Sequence, residues 1–336
     1  MSKERILITT GIYPPKIGGP AQYAKNLARV FLEDNHQVSV KTFSLENYLP
    51  TGFRHLFFFL KILPSVSGSD LIIALDTFSV GFPSVLAAKI LGRKIIVRTG
   101  GDFLWEGYVE RTGKKILFKN FYQTELANLS FKEKLIFKIT RWTLKHASKV
   151  IFSTEWQRDI FMPAYGLDSE KTAVIENYYG PKETPSPPYW DKTFIGSTRH
   201  LKWKNLDTLE KVFARVGDRA KLVTENYKFE ELMARIKTSY AVILVSLGDI
   251  SPNLILDAIR LEKPFIATKE NGLMGRIRDV GLFVDPLDEE DITKAIEKML
   301  DGKEYQALLE RLKNFNFTHT WEEIANEFLE ISQTLK

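Results

Sequence analysis

Residues 246–268, SLGDISPNLILDAIRLEKPFIAT, bring two carboxylates, a helix start and an apolar strand together in one short stretch. Asp249 and Asp257 stand eight positions apart. Ser251 is predicted as the N-cap and Pro252 as the first helical residue. On that reading the free backbone N–H groups near Asn253 and Leu254 point out of the helix start, where an anion can bind. Asp249 precedes the helix and Asp257 lies about a turn and a half along it. Such an arrangement suits a nucleotide-sugar, with phosphates on the amides and hydroxyls on the carboxylates. Spacing alone does not separate this reading from an ordinary strand–loop–helix unit in a charged protein.

Outward from this stretch, apolar β-branched runs alternate with helical patterns. Strands are predicted over 5–10, 37–43, 70–75, 94–99, 149–153 and 172–176, with helical patterns between them at 20–34 and 79–91. The segment GPKETPSPPYW (180–190) has four prolines in eleven residues, which disfavours both helix and inner strand and marks a linker. A second series follows, with strands over 193–196, 220–224, 241–246, 264–268 and 281–284 and helices near 205–216, 228–238, 252–262 and 289–300. A final helix, 320–335, has an apolar stripe and no strand after it. The pattern predicts two α/β domains with parallel sheets: 1–180, a linker 181–190, 191–319, and a C-terminal helix 320–336 that packs back across the junction. Ligands of such sheets bind beyond the carboxyl ends of the strands, here in a cleft that the two domains face.

Composition narrows the chemistry. The chain has no cysteine, which excludes disulfides and thiolate metal sites. Its five histidines show no metalloprotease spacing, and no run of eighteen apolar residues is present. The N-terminal stretch lacks a signal-peptide layout, so the expected location is cytoplasmic. Residues 1–180 contain 24 Lys/Arg against 16 Asp/Glu, and the remainder 23 against 26. Much of the excess falls in 111–149, where lysines alternate with apolar residues at helical spacing. Two readings stay open for that segment: a surface for anionic lipid or a phosphorylated acceptor, which would make the protein peripheral on the inner face of a membrane, or a solvated helix face with a core-facing stripe. No nucleic-acid partner is expected.

Other loops after strands contain further candidates. In GIYPPKIGGPAQYAKNLARVF, Gly18 and Gly19 precede a helix and let a phosphate or sugar approach the backbone, or serve a tight turn. Neither GxGxxG nor GxxxxGK[ST] occurs. In FIGSTRHLKWKN (194–205), Arg199 and Lys204 can neutralise a diphosphate leaving group, or stand as solvated surface cations. In RTGGDFLWE (98–106), Asp102 and Glu106 can bond sugar hydroxyls and Phe103 and Trp105 can stack on a ring face, or the stretch is a polar loop with one packed aromatic. ENGLMG (270–275) reads as a loop over a sugar or a turn.

Taken in order, these motifs resemble the retaining glycosyltransferases of family 4. GIYPPKIGGPAQYAKNLARVFLEDNHQVSV resembles the family's opening, HASKVIFSTEWQRDIF its "AD-x-V-x-x-x-S" segment, and TAVIENYY its "V-I-P-N-G" segment. STRHLKWKN resembles "G-R-L-x-x-x-K-G". The stretch 246–268 resembles "S-x-x-E-G-F-x-x-x-x-x-E-A-x-A-x-G-x-P-V-I-A", and GLFVDPLDEEDITKAIEKML and TWEEIANEFLEI resemble the closing segments. The resemblance implies the GT-B fold of two Rossmann-like domains. It implies transfer of a sugar from a nucleoside-diphosphate-sugar to an acceptor hydroxyl with retention, without a metal or other cofactor. The acceptor would be a glycan or a lipid-linked sugar, as in surface polysaccharide or glycolipid assembly. By the same resemblance Arg199 and Lys204 stabilise the departing diphosphate, Asp249 contacts the donor sugar, Asp257 holds the ribose, and Gly19 admits the diphosphate from the first domain.

Three departures stand out. Both family glutamates are aspartates here, one methylene shorter. The family's histidine after the fourth strand is replaced by Gly100–Gly101–Asp102. The region between Val216 and Tyr240 is shorter than the family's. Two alternatives therefore stay open: a catalytically impaired binding or partner subunit on the same scaffold, and a nucleotide-sugar epimerase of the same fold.

Overall fold

The computed structural model describes residues 3–16, 18–184, 191–196 and 200–335. The chain forms two compact units: residues 1–104, 127–178 and 319–336, and residues 105–126 and 179–318. In the first unit the order is β1 (Arg5–Thr10), α1 (Gly19–Glu33), β2 (Gln37–Thr42), α2 (Thr51–Ser67), β3 (Leu71–Ala74), α3 (Gly81–Ile90), β4 (Ile96–Thr99) and α4 (Phe103–Thr112). Helix α4 leads into the second unit, where α5 (Phe118–Thr124) follows. The chain re-enters the first unit for α6 (Phe131–His146), β5 (Lys149–Phe152), α7 (Glu155–Tyr165) and β6 (Thr172–Val174). The second unit continues with β7 (Thr193–Ile195), α8 (Leu206–Val216), β8 (Lys221–Val223), α9 (Phe229–Thr238), β9 (Ala241–Leu244), α10 (Asn253–Arg260), β10 (Phe265–Thr268), α11 (Met274–Ile277), β11 (Leu282–Val284), α12 (Glu289–Leu300) and α13 (Gly302–Asn314). The last helix, α14 (Trp321–Thr334), belongs to the first unit.

Both sheets are parallel throughout. The first runs β2-β1-β3-β4-β5-β6 and the second β11-β10-β9-β7-β8. In each, consecutive crossovers leave the first strand in opposite directions, which opens a topological switch point between β1 and β3 and another between β7 and β9. The eleven strands among the described residues match the expected runs, their ends trimmed by at most two residues.

Strand periodicity distributes the cores. On β9, Val242 and Leu244 pack against α10 residues Ile255 and Ile259, while Ala241 and Ile243 face Leu209, Val212, Ile292 and Ile296. This is the period-two alternation of a strand buried on both faces. In the first unit Ile6, Ile8 and Ile73 pack with α1 residues Leu27 and Phe31 and with α14 residues Ile324 and Phe328. The start of α14 is sealed by a capping box, in which the Thr320 side chain accepts the Glu323 N–H and Glu323 accepts the Thr320 N–H.

Three expectations need correction. The segment 98–106 is not one loop, because α4 begins at Phe103. Residues 105–126 belong to the second unit and not with the rest of 1–180. Their aromatic side chains Trp105 and Phe118 join Trp203 of the second unit, and burying those rings outweighs chain continuity. Consequently the segment 111–149 is divided between α5 in one unit and α6 in the other. Finally, α10 starts one residue later than expected, with Pro252 rather than Ser251 at the cap.

Candidate functional site

The loops that leave β7 and β9 flank the switch point of the second sheet, and their side chains meet there. After β7 a short 3-10 turn, Lys202–Lys204, ends on Asn205, whose left-handed backbone (φ 58°) starts α8. The fully buried Asn205 amide donates to the carbonyls of Val245 (3.2 Å) and Pro286 (2.7 Å), and its oxygen accepts the Thr208 hydroxyl. This clamp fixes the turn so that Lys204 projects toward the loop after β9. The Leu247 N–H donates to the Trp203 carbonyl (2.8 Å), which ties the two loops together.

At their junction Lys204 Nζ and Asp249 Oδ2 lie 2.6 Å apart, with side chains only 12% and 11% exposed. Ser246 Oγ stands 3.5 Å from the same carboxylate oxygen. The ammonium also sits 4.2 Å from the centre of the Trp203 ring. A charge-assisted contact this short and this shielded from water is much stronger than a surface ion pair. Asp249 is held by its backbone as well, since its N–H donates to the Glu270 carbonyl (2.9 Å) and its carbonyl accepts the Gly272 N–H (3.0 Å). The loop after β10 is thereby part of the site.

Arg199, the other cation expected here, lies outside the described residues. Gly18 and Gly19 belong to the first unit. Gly18 caps α1 with φ 157° and ψ 154°, a region that only glycine adopts readily, and a Cβ there would lie 2.9 Å from Ile12 Cδ1.

Helix α10 places the remaining donor candidates. Asn253 is exposed and Leu254 half-buried on its first turn, where backbone N–H groups have no intrahelical acceptor. The Ser251 hydroxyl is buried and has no hydrogen-bond partner among the described residues, so it does not cap the helix. Asp257 lies one turn along and contacts Arg260 at 3.3 Å. Arg260 continues to Glu183 (2.9 Å), and Glu183 to Lys237 (2.5 Å). Burial pushes the Asp257 carboxyl up to about 6, against the opposing pull of Arg260. Asp257 and Asp249 thus sit in different environments, one half-desolvated and shared with an arginine, the other locked to a lysine.

The candidates after β4 fare differently. The buried Asp102 accepts the Leu104 N–H at 3.0 Å and so shapes the start of α4. Trp105 is in the second unit and buried, its indole N–H donating to the Ile116 carbonyl (3.0 Å) and its ring against Phe118 and Trp203. A ring packed in this way has no open face for a sugar, which corrects the expectation for Trp105. Glu106, half-buried, lies on α4 in the second unit.

Several residues of the site were missed in the sequence. Lys119 on α5 pairs with Glu270 at 2.5 Å, and the Phe118 N–H donates to the Leu247 carbonyl (3.1 Å). Gly248 is glycine for a steric reason, because a Cβ there would lie 2.5 Å from Phe118 Cβ. None of this was legible, since the partners are more than a hundred residues away in the chain. An open cavity of about 450 Å³ lies beside the 3-10 turn, lined by Lys114, Lys115, Lys202, Asp207 and Leu247 among others. Its cations are already engaged: Lys114 with Glu125, Lys115 with Asp207, and Lys202 with the Glu110 carbonyl.

No family model and no curated protein matches the chain. Solved structures do. Sucrose-phosphate synthase from Thermosynechococcus elongatus superposes with a TM-score of 0.70 at 14% identity over 99% of each chain. WaaG, a glycosyltransferase involved in lipopolysaccharide biosynthesis, gives 0.69 at 13% identity over 97% of this chain and 99% of its own. Anabaena Alr3699/HepE, solved with UDP and glucose, gives 0.65 at 16% identity over 99% and 98%. At such identities the likeness speaks for architecture alone, and the architecture is the GT-B fold of two Rossmann-like parallel-sheet units.

Proposed function

We propose that the protein is a glycosyltransferase that moves a sugar from a nucleoside-diphosphate-sugar to an acceptor hydroxyl with retention of configuration and without a metal. The observation that supports this best is the Lys204–Asp249 pair at the switch point of the second sheet, where open α/β sheets bind ligands. The GT-B likeness to proteins that include glycosyltransferases supports the same reading.

In this reading the shielded Lys204 ammonium meets the diphosphate as negative charge builds on it, and Arg199 assists. A cation preorganised in a poorly hydrated site stabilises such charge without reorganising at the moment of reaction. Donor binding loosens the hold of Lys204 on Asp249, and the freed carboxylate accepts hydrogen bonds from donor-sugar hydroxyls. Asp257 accepts from the ribose, and the N–H groups of Asn253 and Leu254 receive a phosphate at the start of α10. Gly18 and Gly19 admit the diphosphate from the first unit. The acceptor in this proposal is a glycan or lipid-linked sugar of a surface polysaccharide or glycolipid.

The test is a screen of UDP-, GDP- and ADP-sugars for hydrolysis and transfer, with the product anomer read by NMR and chelator added in parallel. Retained configuration and chelator-insensitive turnover are expected. Nucleotide binding by calorimetry without turnover of any donor would favour a binding subunit, and an isomerised sugar on an intact nucleotide would favour an epimerase.

A further inference from the structure

Helix α2 is apolar on two faces, and its fold uses only one. His55, Phe58, Ile62 and Val66 recur at helical spacing and are buried. The opposite stripe, Phe53, Leu56, Phe57 and Leu60, follows the i, i+3, i+4, i+7 pattern and is 68%, 56%, 41% and 56% exposed. Exposed Pro64 continues it, and Leu45 (65%) and Tyr48 (87%) precede the helix. Scattered exposed apolar residues need no explanation, but an aligned stripe of large ones along a whole helix marks an interaction surface.

Charge says what the partner is. Between Asn47 and Ser69 there is no Asp or Glu, while Arg54 and Lys61 lie on the helix. Arg93, from the turn after α3, donates to the Ser67 carbonyl at the C-terminal end of α2 (2.6 Å). The nearby acids are engaged: Glu46 is buried against Lys61, Asp70 pairs with Arg5, and Asp76 accepts backbone N–H groups. An aromatic chain, His55–Phe82–Trp142, binds α2, α3 and α6 into one layer. On α6 the exposed Lys132, Lys134, Lys138, Arg141 and Lys145 accompany exposed Phe131 and Leu135, and its sole acid, Glu133, closes a capping box with Ser130.

We propose that this helical layer docks on an anionic lipid bilayer, with the Phe53–Leu56–Phe57–Leu60 stripe of α2 entering the headgroup boundary and the exposed cations of α6 meeting acidic headgroups. An apolar stripe flanked by cations and lacking acids is the physical signature of an interfacial helix. A second protein or a second copy would need acids to meet these cations. The inference stands apart from the transferase reading, because it concerns binding and not chemistry.

The experiment sediments the full chain with phosphatidylcholine vesicles and with vesicles that also contain phosphatidylglycerol. Binding is expected only to the second, weakening as salt rises. The variant Phe53→Gln/Leu56→Gln/Leu60→Gln alters exposed positions only, and should lower partitioning about tenfold or more. Lys132→Gln/Lys134→Gln/Lys138→Gln should lower it about fivefold per lysine at low salt. Should the first variant fail to fold by circular dichroism, Phe57→Trp serves instead, and its emission, taken as the difference from wild type, should shift to the blue with anionic vesicles. Absence of vesicle binding at low salt, unchanged binding in both variants, or no blue shift would overturn the proposal. So would concentration-dependent self-association in sedimentation that the glutamine variant abolishes, which would assign the stripe to a second copy.

Discussion

Asp76 and Asp249 occupy matching places in the two units. Each stands on the loop after the strand that flanks its sheet's switch point, Asp76 after β3 and Asp249 after β9. The Asp76 carboxylate is spent on the backbone, accepting the N–H groups of Phe78 (2.9 Å), Val80 (3.0 Å) and Gly81 (3.0 Å). Gly81 is correspondingly tight, as a Cβ there would lie 2.1 Å from the Asp76 carbonyl oxygen. Burial pushes the Asp76 carboxyl up, and those backbone donors pull it back. Asp249 is held instead by a side-chain ammonium. A backbone-bound carboxylate builds a loop. One bound to a side-chain cation can exchange that partner for a ligand, and under the proposed function this makes the second switch point the chemical one.

The comparison can be broken at its structural end first. Asp76→Ala leaves three backbone donors without their acceptor and should cost about 3–5 kcal/mol, seen as a loss of roughly 10 °C in thermal melts. A melt unchanged by this substitution would show that Asp76 does not hold its loop. At the chemical end, Lys204→Ala should lower turnover of the preferred nucleotide-sugar by about 10²–10³-fold. Turnover near wild type would remove Lys204 from the mechanism.

Smaller effects sharpen the picture of the second switch point. Gly248→Ala forces a methyl against Phe118 and should destabilise the fold by about 1–3 kcal/mol in urea unfolding, whereas an unchanged midpoint would show that α5 yields freely. Asp257 carries a sign that can be checked. Its folded value of about 6 lies above the unfolded carboxyl value of about 3.9. The folded state therefore binds the proton more tightly, and this group's stabilising contribution is present below about pH 4 and lost as pH rises through 6. Asp257→Asn should then gain about 1–3 kcal/mol over wild type at pH 8 relative to pH 4. A constant difference between the two proteins across that range would refute the assignment. The smallest effect belongs to Ser251, whose buried hydroxyl has no hydrogen-bond partner among the described residues. Ser251→Ala should change stability by less than about 1 kcal/mol and yet weaken nucleotide binding in calorimetry. A clear drop in melting temperature would mean that the hydroxyl is structural.

Much of this was legible in the chain. β-branched runs bounded by turns specified every strand, because strand preference and period-two burial are local properties. The loops carrying Lys204 and Asp249 were singled out as candidates for the same reason, since each follows a recognisable strand. Helix α2 falls where a helical pattern was expected between two strands, but its bounds were not read. Its residues TGFRHLFFFLKILPSVS are apolar on nearly every side, so periodicity gave no face to read. Trp105 stayed open between a sugar platform and a packed aromatic, because its type fits both and only its neighbours choose.

By itself, then, the sequence determined the alternation of strands and helices, the two parallel sheets, and the loops on which carboxylates and cations stand. Tertiary structure decided which partners those groups meet. It drew α5 into the second unit through the burial of Trp105 and Phe118, clamped the 3-10 turn through Asn205, and set Lys204 against Asp249 across forty-five residues of chain. Local pattern follows from backbone geometry and burial, which neighbours in sequence share. The pairing of a charge with its partner depends on which strands lie side by side, and that emerges only when the sheet is assembled.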